Sequence, residues 1–181
     1  MVGSGSKYAE LPAVELRRRL DFSDEQLLAE CEVHRHRAGG PGGQHRNKVA
    51  TAIRLRHRPS GLVVTATEAR SQRENTLRAL KRLRAAIALH VRLPLPPVIR
   101  WPPTVQVSEG RLRVNEKNPG IHHVVALVLD ALAACEGRPA DAAQCLGLTS
   151  SSLKRFLSTD RKVWREACRL CEAAGRQPPR R

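Results

Sequence analysis

The feature that most limits how this chain can fold is a proline-rich stretch, "LPLPPVIRWPPT", at residues 93–104. Proline lacks a backbone N–H and its ring clashes with the preceding helical turn, so no helix can run through this stretch. Residues 71–91 before it have the spacing of a long amphipathic helix, and the chain from Ile121 onward is again helical in pattern. We therefore predict a semi-rigid linker between two folded parts.

The charge is concentrated in the first of these parts. The 181 residues carry 32 Lys and Arg against 17 Asp and Glu, a net charge of +15. Residues 34–92 hold 14 basic residues but only two acidic ones. Nucleic acid is the default partner of such a surface. No run of 18 apolar residues is present and no signal-peptide core follows Met1, so we expect a cytoplasmic protein that does not bind membranes.

The first part has the local signals of an α+β layer. Ser23 and Gln26 form a capping box that predicts a helix over 24–30, and "CEVHRH" after it predicts a strand. Residues 49–67 predict a hairpin turning at "RPSG". Ser71 and Glu74 cap the long helix, on which we expect one apolar side made of Leu77, Leu80, Leu83 and Ile87. The prediction is a small mixed sheet with a long packed helix.

The second part is predicted to be a small all-α, helix-turn-helix-like domain. A helix ending near Gly137 is followed by "PADAAQCLGLTSSSLKRFL" and by a final helix to about 174. Four positions fit the small residue, turn glycine and core leucines of a helix-turn-helix: Ala143, Gly147, Leu148 and Leu153. The expected domains are an extension (1–22), an α+β domain (23–92), a linker compatible with a short hairpin (93–120), the helical domain (121–175) and a basic tail (176–181).

The stretch "RAGGPGGQHRNK", residues 37–48, does not fit the common phosphate-binding loops. A P-loop needs Lys directly after its last glycine, and a dinucleotide loop must open a helix. A flexible surface linker is the plain alternative, but it does not explain the dense flanking charge. Glycines let a backbone approach a substrate closely, and flanking cations hold phosphates. The stretch therefore also fits a tip that enters an RNA-lined cavity.

The segment "GPGGQHRNK", followed by "AIRLRHRPSGLVVTATEARSQRENTLRALKRL", resembles the GGQ domain of bacterial-type peptide-chain release factors over residues 23–92. The resemblance implies hydrolysis of the ester bond of peptidyl-tRNA in the ribosomal peptidyl transferase centre. Gly42, Gly43 and Gln44 would form the catalytic tip. The Gln44 N–H would stabilise developing negative charge and its side chain would position the attacking water. No metal or cofactor is implied.

The resemblance and the charge pattern also indicate supporting residues. Loop support is expected from Gly40, Pro41, Asn47, Ser71 and Gln72, and Asn75 matches the same motif. RNA contacts are expected from Arg37, Arg46, Lys48, Arg54, Arg56, Arg70, Arg73, Arg78, Lys81, Arg82, Lys154 and Arg155. Arg46 departs from the family, in which an apolar residue is common at that place. His45 is better placed to face RNA or to pack than to act as a general base.

Only about 20 residues precede the GGQ-like region, so we expect a codon-independent release factor of the ribosome-rescue kind, acting as a monomer. The implied partners are large-subunit rRNA, the P-site peptidyl-tRNA and an N5-glutamine methyltransferase acting on Gln44. The alternative is a non-catalytic RNA- or DNA-binding module that uses its helix-turn-helix-like domain.

The five cysteines, with no secretion signal, predict reduced thiols. Cys168 and Cys171 have the C-x-x-C spacing, and a four-thiolate zinc site with Cys135 and Cys145 is conceivable. Their helical surroundings favour packing as small core residues.

Overall fold

The computed structural model describes residues 11–36 and 51–178. It divides the chain into two compact units, Met1–Ile87 and Ala88–Arg181. Each unit is described in turn.

The first unit begins with helices that prepare the sheet. Helix α1 (Ala13–Arg18) runs into a 3-10 turn (Arg19–Asp21), and helix α2 spans Asp24–Ala29. Both halves of the predicted capping box are formed at the start of α2. Residues 1–22 are predicted to be an N-terminal extension, and within them α1 is a regular helix with Glu15 paired to arginines three and four residues later.

The sheet is a meander of strands β1 (Cys31–His36), β2 (Ala52–His57) and β3 (Val63–Ala66), in that order. Both pairings are antiparallel, with Val33 opposite Leu55 and Leu55 opposite Val64. The α+β class is confirmed. The sheet was expected to be mixed; it is antiparallel throughout the described strands, because consecutive strands pair without the crossover that a parallel pair needs.

Strand β2 separates an apolar face from a basic one. Ile53, Leu55 and His57 alternate along the buried face, whereas Arg54 and Arg56 between them are exposed. This is the period of two expected of a half-buried strand. One face of the sheet therefore packs into the core, and the opposite face exposes arginines to solvent.

Helix α3 (Gln72–His90) buries Leu80, Leu83 and Ile87, but Leu77 is 47% exposed. Leu77 was expected on the same face, and that expectation is wrong. At 3.6 residues per turn it lies about 90° from the mean direction of the other three. Ala79 is fully buried and completes the apolar stripe.

The second unit contains a β-hairpin and helices. The hairpin pairs β4 (Gln106–Ser108) with β5 (Arg111–Arg113). The helices are α4 (Ile121–Ala134), α5 (Pro139–Cys145), α6 (Ser150–Thr159) and α7 (Arg161–Ala173). Thr149 caps α6 and Asp160 caps α7 through their side-chain oxygens. The helix-turn-helix pattern is matched, with Ala143, Leu148 and Leu153 buried.

Helix α4 carries a buried acid that orders the segment before the hairpin. Asp130 is 3% exposed, and its Oδ1 accepts a hydrogen bond from the Leu93 N–H at 3.1 Å and lies 3.1 Å from Arg92 Nη1. A buried carboxylate is tolerated because these partners satisfy it. The start of the proline-rich stretch is therefore attached to the helical unit.

The hairpin is part of the same unit and not a separate linker element. The Leu112 N–H donates to Ser152 Oγ at 2.9 Å, and the Thr149 N–H donates to the Gly110 carbonyl at 2.8 Å. In the sequence, this hairpin was expected in the linker (93–120), outside the helical domain. Local pattern could not reveal the contact, because it joins residues about 40 positions apart.

Candidate functional site

The strands on either side of the glycine-rich segment in the sequence, β1 and β2, end and begin next to each other. His36, the last residue of β1, pairs with Ala52, the first residue of β2. His36 and Ala52 are therefore fixed in neighbouring antiparallel strands. The expected catalytic residues Gly42, Gly43 and Gln44 lie outside the described residues. The same is true of the expected loop-support and RNA-binding residues Arg37, Gly40, Pro41, Arg46, Asn47 and Lys48.

A buried amide braces the point where the chain re-enters β2. Asn75 is 0% exposed, and its Nδ2 donates to the carbonyls of Thr51 at 2.6 Å and Ala69 at 2.9 Å. Its Oδ1 accepts from the Ala69 N–H at 2.9 Å. One side chain thus ties the residue before β2 to the turn before α3. Asn75 is predicted to brace this region, and these hydrogen bonds identify the backbone groups that its side chain contacts.

The other residues near the start of α3 have more local contacts. Ser71 Oγ accepts from the Glu74 N–H at 3.4 Å, which caps the helix. Gln72 is half-buried, and its carbonyl accepts from Thr76 Oγ1 at 2.8 Å. Whether Ser71 and Gln72 also support the glycine-rich segment stays a prediction.

The expected RNA-binding cations of the first unit fall into two groups. Arg54, Arg70, Arg73 and Lys81 are exposed, and the structure gives them no carboxylate partner among the described residues. The others are engaged: Arg56 lies 3.5 Å from Glu32, Arg78 lies 2.5 Å from Glu74, and Arg82 pairs with Glu68 and donates to the Thr65 carbonyl. To bind a phosphate, these three arginines would first have to give up an intramolecular partner, so they are less available for RNA binding than the first group.

Leu77 is exposed next to two of these cations. It lies one helical turn from Arg73 and one turn from Lys81, so the three side chains share an exposed face of α3. Leucines at this spacing look like core positions in the sequence, and only the structure shows that this one is exposed.

A buried ionic network supports the far end of the sheet and was not predicted. His57 is 0% exposed; its Nε2 lies 3.0 Å from Glu30 Oε2 and its Nδ1 lies 2.7 Å from Ser60 Oγ. Arg19 donates to both Glu30 oxygens, at 3.2 and 2.9 Å. Burial lowers the pKa of His57 despite the neighbouring carboxylate. Burial raises the pKa of Glu30, but hydrogen bonds from Arg19 and His57 outweigh it and leave that pKa lowered.

In the second unit, Lys154 and Arg155 are exposed on α6, as expected.

The cysteines behave as core or surface thiols. All five are free, and the Sγ atoms of Cys135 and Cys145 lie 3.6 Å apart. Burial raises the pKa of Cys135 to about 11, so the thiol is protonated at neutral pH. Within residues 11–36 and 51–178, no three His, Cys, Asp or Glu side chains are grouped to hold a metal ion.

None of the helices in the described part of the chain is both long and apolar enough to cross a bilayer.

Comparison with known proteins identifies the first unit. Residues 26–93 match the family described as the RF-1 domain. Over 84 residues the chain is 43% identical to peptide chain release factor 1 of Chloroherpeton thalassium and 44% identical to that of Caldicellulosiruptor bescii. Each alignment covers 46% of this chain and 22% of the relative. Peptide chain release factor 1 of Acidiphilium cryptum is 46% identical over 79 residues, covering 44% and 21%.

The chain thus spans about a fifth of the length of these relatives, and the matched part contains the sheet, the long helix and the glycine-rich segment. Over residues 26–93 the chain therefore contains an RF-1 domain, and this part is similar to the matching domain of bacterial peptide chain release factors.

Proposed function

We propose that this chain releases nascent peptides by hydrolysing the ester bond of peptidyl-tRNA in the ribosomal peptidyl transferase centre, through Gly42, Gly43 and Gln44 and without reading a codon. The observation that carries the proposal is the RF-1 domain match at residues 26–93, which includes these three residues. The proposal makes two claims that are tested separately. The first is that the chain releases nascent peptides, and the second is that it does so in ribosome rescue, without a codon.

The proposed chemistry needs little from the protein itself. Attack of water on the ester develops negative charge on the carbonyl oxygen and then on the departing ribose oxygen. The main-chain N–H of Gln44 would donate to this charge, and one such donor in a desolvated site is worth about 3 kcal/mol. Gly42 and Gly43 would let the backbone approach without steric conflict. The Gln44 side chain would orient the water, and ribosomal RNA would supply the remaining contacts.

The described scaffold is suited to deliver such a segment. The pair His36–Ala52 fixes the strand ends on either side of it, and Asn75 fixes Thr51 at its C-terminal end. Anchors of this kind matter because catalytic groups must be held within a fraction of an ångström. Arg54, Arg70 and the exposed face of α3 would contact rRNA and the P-site tRNA through phosphates.

Peptide release from ribosomes carrying labelled peptidyl-tRNA tests the chemistry. We expect Gln44→Ala to abolish release while ribosome binding by co-sedimentation is kept. Gln44→Pro removes the N–H as well as the side chain; loss of the N–H by itself would slow release by about 100- to 1,000-fold, so this variant is also expected to be inactive. Gln144→Ala, on an exposed residue of α5, is the matched control and should release at the wild-type rate. Full release by Gln44→Ala would contradict the proposal, and full release by Gln44→Pro would exclude the amide.

Codon independence has a separate test. Ribosomes stalled on truncated mRNA, ribosomes with a sense or stop codon in the A site, and free large subunits bearing peptidyl-tRNA are compared at equal protein concentration. The rescue proposal expects release that does not require a stop codon. Release confined to stop codons would contradict it. Wild-type protein that binds ribosomes but releases nothing would favour the non-catalytic binding module instead.

One further partner and the oligomeric state belong to the same proposal. An N5-glutamine methyltransferase would modify the side-chain amide of Gln44, which mass spectrometry of the native protein would detect. The protein would act as a monomer, which light scattering would test.

A further inference from the structure

Two elements of the second unit present unpaired cations side by side. On β5, Arg111 and Arg113 are exposed on either side of the half-buried Leu112. On α6, Lys154 and Arg155 are exposed. Across the described residues of the unit, the structure gives none of these four cations a carboxylate partner.

Two other arginines of the unit are paired with carboxylates. Arg138 lies 2.9 Å from Glu136 and 2.5 Å from Asp141, and Arg169 lies 2.6 Å from Glu166. Helix α6 contains no acidic residue at all. The charge of the four cations is therefore available for a partner in a way that the charge of Arg138 and Arg169 is not.

The strand and the helix are joined by a tight contact. The Thr149 N–H donates to the Gly110 carbonyl at 2.8 Å, and the Leu112 N–H donates to Ser152 Oγ at 2.9 Å. Gly110 has a φ of +67°, and a Cβ there would lie 3.1 Å from Thr149 Cγ2 and 3.2 Å from its backbone nitrogen. A glycine is thus required both by its backbone conformation and by the approach of the helix.

This contact sets the direction of the strand along the helix. Gly110 meets Thr149 and Leu112 meets Ser152, so β5 advances beside the first turn of α6. Arg155 follows Ser152 by three residues, which places their Cβ atoms about 5–6 Å apart on neighbouring turns. Arg113 is the next residue of the strand in the same direction. Arg155 and the two strand arginines therefore lie on one surface, and Lys154, about 100° further round α6 than Arg155, extends it at the edge; we call this the β5–α6 surface.

The chemistry of this surface fits a phosphate backbone and not base edges. The exposed side of α6 adds only the hydroxyls of Ser150, Ser151 and Thr159 to its two cations, and Phe156 is half-buried. Asn and Gln, which read adenine, and exposed aromatic rings, which stack on bases, are absent from α6. Glu109 at the hairpin tip opposes the four cations with a single negative charge.

We propose that the β5–α6 surface binds the phosphodiester backbone of structured RNA, as a second RNA contact of this chain. The choice of RNA over DNA rests on the proposed function, because a factor acting on the ribosome meets rRNA and tRNA. The surface would hold the second unit on RNA independently of the chemistry at Gln44.

The test uses the full chain and a fluorescently labelled RNA hairpin with a stem of about 20 base pairs, followed by anisotropy at several salt concentrations. The variant R111Q/R113Q/K154Q/R155Q removes the proposed surface. The control R161Q/K162Q/R165Q/R176Q removes the same charge from exposed residues elsewhere in the unit. Thermal unfolding followed by circular dichroism checks both, and the smaller variant R111Q/K154Q serves if the four-residue variant is unstable.

We expect the β5–α6 variant to lose at least about tenfold in affinity and to flatten the slope of log K against log salt by about 3. R111Q/K154Q should flatten the slope by about half as much. The control should change less than the β5–α6 variant in both measurements. Unchanged affinity and slope in the β5–α6 variant, or an equal loss in the control, would overturn the proposal. Tighter binding of a DNA duplex of the same sequence would overturn the assignment to RNA.

The result is separable from the proposed function. Gln44→Ala should bind the RNA hairpin as wild type does, although it is expected to lose peptide release. A wild-type protein that binds RNA through the β5–α6 surface but releases no peptide would refute the proposed activity and leave this inference standing.

Discussion

Asn75 offers a direct test of how the scaffold is held together. Its side chain makes three hydrogen bonds, to the Thr51 carbonyl and to the carbonyl and N–H of Ala69, and it is 0% exposed. Asn75→Leu keeps approximately the volume but leaves three backbone groups without a partner. At about 1 kcal/mol for each group, the lower part of the measured range, the loss is about 3 kcal/mol.

Hydrogen exchange measured by mass spectrometry is the suitable assay, because a chain of two units need not unfold in one step. A loss of about 3 kcal/mol corresponds to roughly 100-fold faster exchange in peptides covering β2 and residues 63–70. Peptides from α4 in the second unit provide the internal reference. Arg73→Ala, an exposed residue of the first turns of α3, is the control for exchange and should leave these rates within a few-fold of wild type.

Asn75→Asp separates hydrogen bonding from volume. A carboxylate can still accept from the Ala69 N–H, but it cannot donate to the carbonyls of Thr51 and Ala69. At neutral pH it would place a buried charge against two carbonyl oxygens, so exchange should rise at least as much as in Asn75→Leu. Wild-type exchange in both variants would refute the reasoning that this amide holds Thr51 in place.

Two more predictions concern stability. Burial lowers the pKa of His57 below its usual value of 6.5. Below about pH 6.5 the unfolded chain therefore binds a proton that the folded unit does not, and stability falls as the pH decreases; exchange from β2 at pH 7 and pH 5 should show this, and His57→Gln should reduce the difference. Gly137→Ala should destabilise the second unit, because Gly137 has a φ of +67° and a Cβ there would lie 2.7 Å from Cys171 Cα; a melting temperature equal to wild type would contradict this.

Elements marked by local signals could be read from the sequence. The capping box of Ser23 with Gln26 and the hairpin that turns at residues 58–61 each depend on residues only a few positions apart. The family resemblance over 23–92 likewise depends on an ordered series of residues in one stretch, and the match to the RF-1 domain at 26–93 confirms it. Such features are decided by backbone propensity and hydrogen bonding between near neighbours.

Features that depend on distant partners could not be read in the same way. Leu77 has the composition of a core position, but the angular position of the buried stripe on α3 is set by what packs against it. His57 alternates like any strand residue, and only the approach of Glu30 from α2 explains its burial. Asp130 appears as an isolated acid in an apolar helix until the Leu93 N–H is placed beside it.

The sequence alone determined the α+β domain with its long basic helix, the glycine-rich segment between cations and the family to which that domain belongs. Only the tertiary structure decided which atoms anchor the strand ends, through Asn75 and Thr51, and that the hairpin joins α6 through Gly110. The physical reason is that propensities and caps act over one or two turns of chain. Burial and long-range hydrogen bonds, by contrast, exist only once distant segments have met and excluded water between them.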